Sequence, residues 1–443
     1  MKIVIIGGVA AGMSAAAKAK RIDKNTEVIV YEKGPVLSYG ACGLPYYVSG
    51  ANDDYRRMIM RTQDDFDKQG IVTKLHHEVL KVNTEEKHVM VKDWLSGQVF
   101  IESYDKLMLA TGARPITPNL PGVELDGVME LKTLQDGINM RQKVMDPNIK
   151  NIAIVGAGYI GIELAEAMVE LGKQVQVIEF SDRILRSFDK EFSDMAEQEL
   201  RNHGVALHLS EGVKAIRGNG KVNAVETDKG VYPADLVILA IGVKPNTEFL
   251  KDSGVQLTKR GAIIIDREMK TTVPDVYAAG DCATVYHAVK EENDFIPLGT
   301  TANKCGRIAG SNMMGHKEKF MGTLGSAAIK VLGIELGRTG LSAEEAAAQR
   351  IDFGTQLVTS YNHPPYYPNQ APIHIKLIYE KRTHRLLGAQ AVGGEGTVLR
   401  VNSMAIAIQN HMTTEALGMV DLIYAPPFAG VWDAIHIAAN AVK

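Results

Sequence analysis

The chain opens on an apolar run, IVII at residues 3–6, which breaks into glycines and then into the alanine-rich stretch AAGMSAAAKAKR. This pattern predicts a short buried strand, a tight turn and a helix. A second apolar run, TEVIVYEKG, follows and carries Glu32, twenty residues beyond Gly12. The same order returns in NIAIVGAGYIGIELAEAMVELGKQVQVIEF, where Gly156, Gly158 and Gly161 open the helix and Glu179 closes the next strand. Two further runs echo each other, YDKLMLATGARP at 104–115 and ADLVILAIGVKPN at 234–246, each a buried strand ending in a glycine turn. Near the end, IHIKLIYEKRTHRLLGAQAVG reads as two apolar strands joined by a polar turn, with helical patterning from Gly396 to Met412.

The spacing of glycines and acid has a chemical reason. The first glycine allows the turn, the middle one lets backbone approach a pyrophosphate, and the last permits close helix packing. The helix N-terminus attracts phosphate, and the acid accepts hydrogen bonds from a ribose. Seen twice, the pattern predicts two dinucleotide folds. The first copy carries Val9 at the middle glycine position, between Gly7, Gly8 and Gly12.

Composition narrows the class. At 443 residues the chain predicts two or three domains. A net charge of −3 gives no broad electrostatic basis for holding a nucleic-acid backbone or an anionic membrane. No apolar run approaches a membrane helix, and the N-terminal one is too short for a signal-peptide core. Cys42, Cys282 and Cys305 are too widely spaced for a disulfide framework or a zinc site, so no metal is expected. A reducing cytoplasm fits this usage.

With a third run, VPDVYAAGDCA, reaching Asp281, these motifs resemble the FAD-dependent pyridine nucleotide-disulfide oxidoreductase family over essentially the whole chain. The resemblance implies an α/β fold of two Rossmann-like domains, the NAD domain inserted in the FAD domain, plus an α+β C-terminal dimerisation domain. It divides the chain into FAD-binding residues 1–112 and 246–322, NAD(P)H-binding residues 113–245 and dimerisation residues 323–443. Carried over by motif, Gly7, Gly8, Gly12, Glu32, Thr111, Gly112 and Asp281 would serve FAD. Gly156, Gly158, Gly161 and Glu179 would serve the nicotinamide nucleotide, with Tyr159 resembling the family's gate over the flavin. Glu179 favours NADH, because its charge repels the extra phosphate of NADPH; Arg183 and Arg186 lie close enough in sequence to blunt that preference.

The stretch SYGACGLPYYVSG poses the mechanistic question. In ordinary members of this family the redox cysteine has a partner five residues on, whereas here position 47 is Tyr47. Cys42 is expected near a helix N-terminus, which would stabilise its thiolate. Alone, it can cycle through a mixed disulfide with a small thiol or through a sulfenic acid. Peroxidase and oxidase relatives place a histidine where this chain has Ala10. The cysteine segment instead resembles the coenzyme A-disulfide reductase branch, with Ala41 where asparagine is common. PPYYPNQAP and DLIYAPPF match tyrosine motifs of that branch and carry over to Tyr367 and Tyr424, delivered as proton donors by the other chain of a homodimer. By the same resemblance Ser38, Arg61, Asn303, Arg307 and Arg21 would hold coenzyme A. Cys282 and Cys305 read as packing residues. The resemblance therefore implies reduction of coenzyme A disulfide by NAD(P)H. The alternatives are coenzyme A persulfide or polysulfide reduction, an NADH oxidase or peroxidase using a Cys42 sulfenic acid, and a redox-sensing or carrier-docking flavoprotein. No appended rhodanese domain is expected.

Overall fold

The computed structural model describes residues 1–443. The IVII run becomes the strand Lys2–Ile6, the centre of a five-stranded parallel sheet. Glu27–Tyr31 and Ile71–Lys74 lie to one side, and Lys106–Leu109 and Val276–Ala278 to the other. The second repeat builds the same sheet again. Asn151–Val155 is central, flanked by Gln174–Ile178 and Ala206–His208, and on the other side by Leu236–Leu239 and Val128–Met129. Both central strands are buried on both faces, which is why they read as unbroken apolar runs. The two echoing runs occupy equivalent places, each beside the first strand of its own fold.

The chain passes into and out of the second fold through a short antiparallel ladder, Ala113–Pro115 against Val243–Pro245. Each fold also carries a three-stranded antiparallel meander, His77–Asn83 to Val99–Ser103 in one and Val213–Asn219 to Val231–Pro233 in the other. The C-terminal part is a five-stranded antiparallel sheet covered by the helix Thr397–Gln409. Its strands Pro372–Glu380 and Leu386–Gly393 are the two apolar runs around a polar turn. No helix is long and apolar enough to cross a membrane.

The packing of the cysteine segment matters most for the site. Cys42 lies in a single turn, Ala41–Gly43, that leads into the helix Leu44–Ser49. Leu44, Tyr47 and Val48 are buried in the core of the second fold, with Ile154, Leu164 and Met140, rather than in the core of the first. That core also takes in Ile329, Leu336 and Val392 of the C-terminal sheet. Burying one leucine such as Leu44 contributes about 2 kcal/mol. The cysteine helix is thus tied to the inserted fold, although its chain leaves the first.

Candidate active site

Each glycine turn is gripped by the acid at the end of its second strand. Glu32 accepts hydrogen bonds from the N–H groups of Gly8 and Gly34, both at 2.7 Å. Glu179 accepts from Ala157 at 2.8 Å and Ser181 at 2.7 Å, the equivalent pair. At Gly158 nothing lies within 4 Å of where a Cβ would be, so this backbone stands open to a pyrophosphate. At Gly161 a Cβ would sit 2.1 Å from the Gly156 carbonyl oxygen; only glycine brings the helix Tyr159–Glu170 so close. Val9 stands at the N-cap of the first helix with φ −106° and ψ −114°, outside the helical and extended regions, and its side chain makes no capping hydrogen bond. A Cβ at Gly8 would meet Leu37 at 2.3 Å and fill the cradle beside Glu32. These features fit the pyrophosphate and ribose of FAD.

The remaining expected cofactor residues fall around these turns. The Thr111 hydroxyl donates to the Asn246 carbonyl at 2.6 Å, and the Asn246 amide donates back to Thr111 at 3.0 Å, tying Thr111-Gly112 to the crossing between folds. Asp281 accepts from the Lys132 ammonium at 3.0 Å. Tyr159 packs on Phe188, ring centres 6.2 Å apart, and its hydroxyl accepts from Ser187 at 3.1 Å. Arg183 does not face the nucleotide: it is buried and donates to Glu344 of the C-terminal part at 2.6 Å. Of the two arginines near Glu179, Arg186 alone is exposed.

Cys42 is the exposed cysteine, whereas Cys282 and Cys305 are buried. Burial pushes the thiol of Cys282 up to about 11 and that of Cys305 up to about 12. Position 47, where a second cysteine would stand, holds a buried tyrosine under the Arg141 guanidinium, 4.9 Å from its ring centre. Arg141 also donates to the carbonyls of Tyr47 and Asn52, closing the end of the cysteine helix. The expected lowering of the Cys42 thiol is not what the structure gives. Although the residue reaches solvent, the protein crowded around its sulfur excludes enough water to push the thiol up, and the Glu163 carboxylate and then Asp281 add to this, with Lys132 opposing them. The helix beyond it has only six residues, a small dipole against two carboxylates.

Glu163, Lys132 and Arg141 were not legible as site residues. Glu163 had one signal: it is four residues beyond Tyr159, a carboxylate on the same helix face as the gate. Burial, and then the neighbouring Glu166, raises it to about 7.

The residues expected to hold substrate divide into two groups. Asn303 accepts from the Ser14 hydroxyl at 2.8 Å, where the helices Ala10–Ile22 and Gly299–Met313 pack tightly. Arg307 stands one turn further along its helix, exposed, and Arg21 lies exposed near the end of the other. Ser38 and Arg61 come from the loop around the cysteine segment: Ser38 accepts from the N–H of Met60 at 2.8 Å, and Arg61 is exposed. Tyr367 and Tyr424 are not brought to Cys42 within one chain. They belong to an exposed apolar surface with Ile423, Phe428 and Trp432. The hydroxyl of Tyr424 meets Tyr366, while Tyr367 packs edge-on against His363 at 5.2 Å.

Two dinucleotide folds, an exposed cysteine beside them and an antiparallel C-terminal sheet define a flavoprotein oxidoreductase that draws electrons from a nicotinamide nucleotide. The chain belongs to the pyridine nucleotide-disulphide oxidoreductase family: residues 1–301 match that family and residues 326–435 its dimerisation domain. It is an FAD-dependent NAD(P)H oxidoreductase. It is 41% identical over 442 residues to the NAD(P)H sulfur oxidoreductase (CoA-dependent) of Pyrococcus abyssi, covering all of this chain and 98% of that one. It is 40% identical over 443 residues to the NAD(P)H coenzyme A polysulfide/persulfide reductase of Pyrococcus horikoshii, covering 100% of this chain and 98% of that one. Among solved structures, the reduced CoADR-RHD of Bacillus anthracis superposes with a TM-score of 0.96 at 33% identity, covering 99% of this chain and 79% of the other.

Proposed function

We propose that the enzyme uses NAD(P)H to reduce coenzyme A disulfide, with Cys42 as its one reacting sulfur. The observation that carries this reading is the contrast among the cysteines: Cys42 is exposed, Cys282 and Cys305 are buried, and position 47 is a packed tyrosine. FAD, when bound, supplies the two-electron relay from the nucleotide to sulfur. Gly7, Gly8, Gly12, Glu32, Thr111, Gly112 and Asp281 would hold it, and the turn at Gly156, Gly158 and Gly161 would hold NAD(P)H with Glu179.

Cys42 as thiolate attacks one sulfur of the disulfide, forming a Cys42–coenzyme A disulfide and expelling one coenzyme A thiolate. Two electrons from NAD(P)H and one proton then cleave that bond, restoring the Cys42 thiolate and releasing the second thiol. The exposed basic side chains of Arg307 and Arg21, on the two packed helices joined by the Ser14–Asn303 hydrogen bond, suit the phosphates of coenzyme A. The exposed apolar surface carrying Tyr367 and Tyr424 supports a two-fold homodimer that delivers a tyrosine to the leaving sulfur.

The same thiolate would attack the sulfur–sulfur bond of coenzyme A persulfide or polysulfide. This second reading is favoured by the named activities of the two Pyrococcus relatives. Turnover of both substrates by Cys42→Ser tests the shared chemistry: loss of both is expected, and retained turnover would sink it. The ratio of kcat/KM for coenzyme A disulfide over coenzyme A persulfide then chooses between the readings.

A further inference from the structure

We propose that Phe180 is the platform on which the adenine of NAD(P)H stacks. The inference rests on the placement of the nucleotide at the turn of Gly156, Gly158 and Gly161, as proposed above, and is independent of the reaction at Cys42.

Phe180 directly follows Glu179 and is 82% exposed, more than any other phenylalanine, tyrosine or tryptophan of the chain. It joins neither apolar cluster of the second fold. Ile178, two residues earlier, is buried with Val155 and Leu239, and Phe188, eight residues later, is buried with Ile154 and Leu164. Exposure alone assigns the ring no role. Its position and its backbone do.

The backbone is fixed on both sides of the ring. The N–H of Glu179 donates to the His208 carbonyl at 2.9 Å, and the Glu179 carbonyl accepts from the N–H of Glu211 at 3.0 Å. One residue past Phe180, the Ser181 carbonyl accepts from the N–H of Ser210 at 2.8 Å, while the Ser181 N–H is held by the Glu179 carboxylate. Phe180 is thus laced to the loop 208–211. The Cδ2–Cε2 edge of its ring stands beside Gly212, where a Cβ would lie 3.5 and 3.8 Å from those two atoms. No side chain grows from Gly212 across the ring, which stays open to solvent.

The ligand follows from the order of parts in a dinucleotide. The Glu179 carboxylate stands between the glycine turn, through Ala157, and the segment carrying Phe180. Adenine is bonded directly to its ribose, so a pyrophosphate at Gly158 and a ribose at Glu179 leave the base beyond that acid, beside Phe180. A flat ring on a fixed backbone meets a flat base with little ordering cost. The surroundings are polar: Ser181 and Asp182 follow, and Asp228 accepts from the N–H of Gly212 at 3.0 Å. One planar base suits such a place better than the apolar patch of a protein partner.

The test is calorimetric titration of ADP-ribose, which carries the adenosine end of the nucleotide without the nicotinamide, into the oxidised, FAD-loaded protein. Phe180→Ala should weaken ADP-ribose binding about tenfold, within the range of one base stacked on one aromatic ring, and Phe180→Tyr should stay within about threefold of the unsubstituted protein. Unchanged affinity in Phe180→Ala overturns the proposal. A substrate without adenine separates stacking from a role in shaping the turn: the ratio of kcat/KM for NADH over reduced nicotinamide mononucleotide should fall about tenfold in Phe180→Ala. A constant ratio overturns the proposal as well. Gly158→Val, which closes the approach of the pyrophosphate, should abolish ADP-ribose binding; binding retained there would defeat the placement of the nucleotide at this turn, a failure distinct from that of a base that does not touch Phe180.

Discussion

The hydroxyls of Tyr366 and Tyr424 lie 3.1 Å apart across 58 residues of sequence. The contact makes Tyr366 less acidic than an ordinary tyrosine, chiefly through the hydrogen bond to Tyr424. On the proposed reading of Tyr424 as proton donor, Tyr366 keeps its own proton and is placed to hydrogen-bond the Tyr424 oxygen. Tyr424→Phe should slow coenzyme A disulfide turnover roughly a hundredfold, the lower range of a general acid's contribution. Tyr366→Phe should slow it about threefold, and both variants should oxidise NADH with an artificial acceptor at the unsubstituted rate. Equal loss in the two assays would assign these rings to packing.

The nucleotide preference should follow Glu179 and Arg186, not Arg183. Glu179→Gln should raise the NADPH to NADH ratio of kcat/KM by up to about tenfold, equivalent to about 1.4 kcal/mol of lost repulsion. Arg186→Ala should lower that ratio. Arg183→Ala should leave it unchanged and reduce the melting temperature, because its guanidinium is spent on Glu344. A shift in the ratio with Arg183→Ala would contradict this assignment.

The border between the second fold and the C-terminal sheet rests on Arg338. It is buried and donates to the carbonyls of Ser187 and Gly340 and to Glu345. Arg338 heads the charges that hold Glu345 down to about 2 against its burial. Arg338→Met would leave Glu345 to Lys290 and the Ser342 N–H and strand the Ser187 carbonyl, costing about 3 kcal/mol in urea unfolding. A cost under about 1 kcal/mol would mean that the network does not bind the two parts together.

Much of this architecture was legible locally. Periodicity and glycine spacing carry information between near neighbours, so both dinucleotide turns, their acids and the C-terminal hairpin were readable from the chain. What was not legible depends on partners distant in sequence. Arg183 was read beside Glu179, but its guanidinium is bound by Glu344, 161 residues away. Tyr367 and Tyr424 were both read from their motifs as proton donors, and nothing local showed that the Tyr424 hydroxyl meets Tyr366, 58 residues away. The Cys42 thiol was expected to be lowered by the helix that follows it. Glu163 and Asp281, from two other segments, reverse the direction.

Glu163 also gives the protein a pH-dependent stability. Its carboxyl is raised from an ordinary 4.5 to about 7 by burial and by Glu166, so between those values the folded chain binds more protons than the unfolded one. Its contribution is present in full below about 4.5 and is lost as pH rises through about 7. Glu163→Gln should therefore gain stability relative to the unsubstituted protein at pH 8 and gain little at pH 5. Melting temperatures at both pH values check this; an equal difference at the two would show that Glu163 ionises normally.

The central claim is that Cys42 works without a second protein sulfur, and the mass of the oxidised enzyme tests it most directly. The protein is treated with excess coenzyme A disulfide, denatured without reductant, and weighed intact and as peptides. The account predicts one adduct of coenzyme A mass, on the peptide containing Cys42, removed by dithiothreitol and missing from Cys42→Ser. A single added oxygen on Cys42 with no coenzyme A adduct, or an adduct on Cys282 or Cys305, would contradict it.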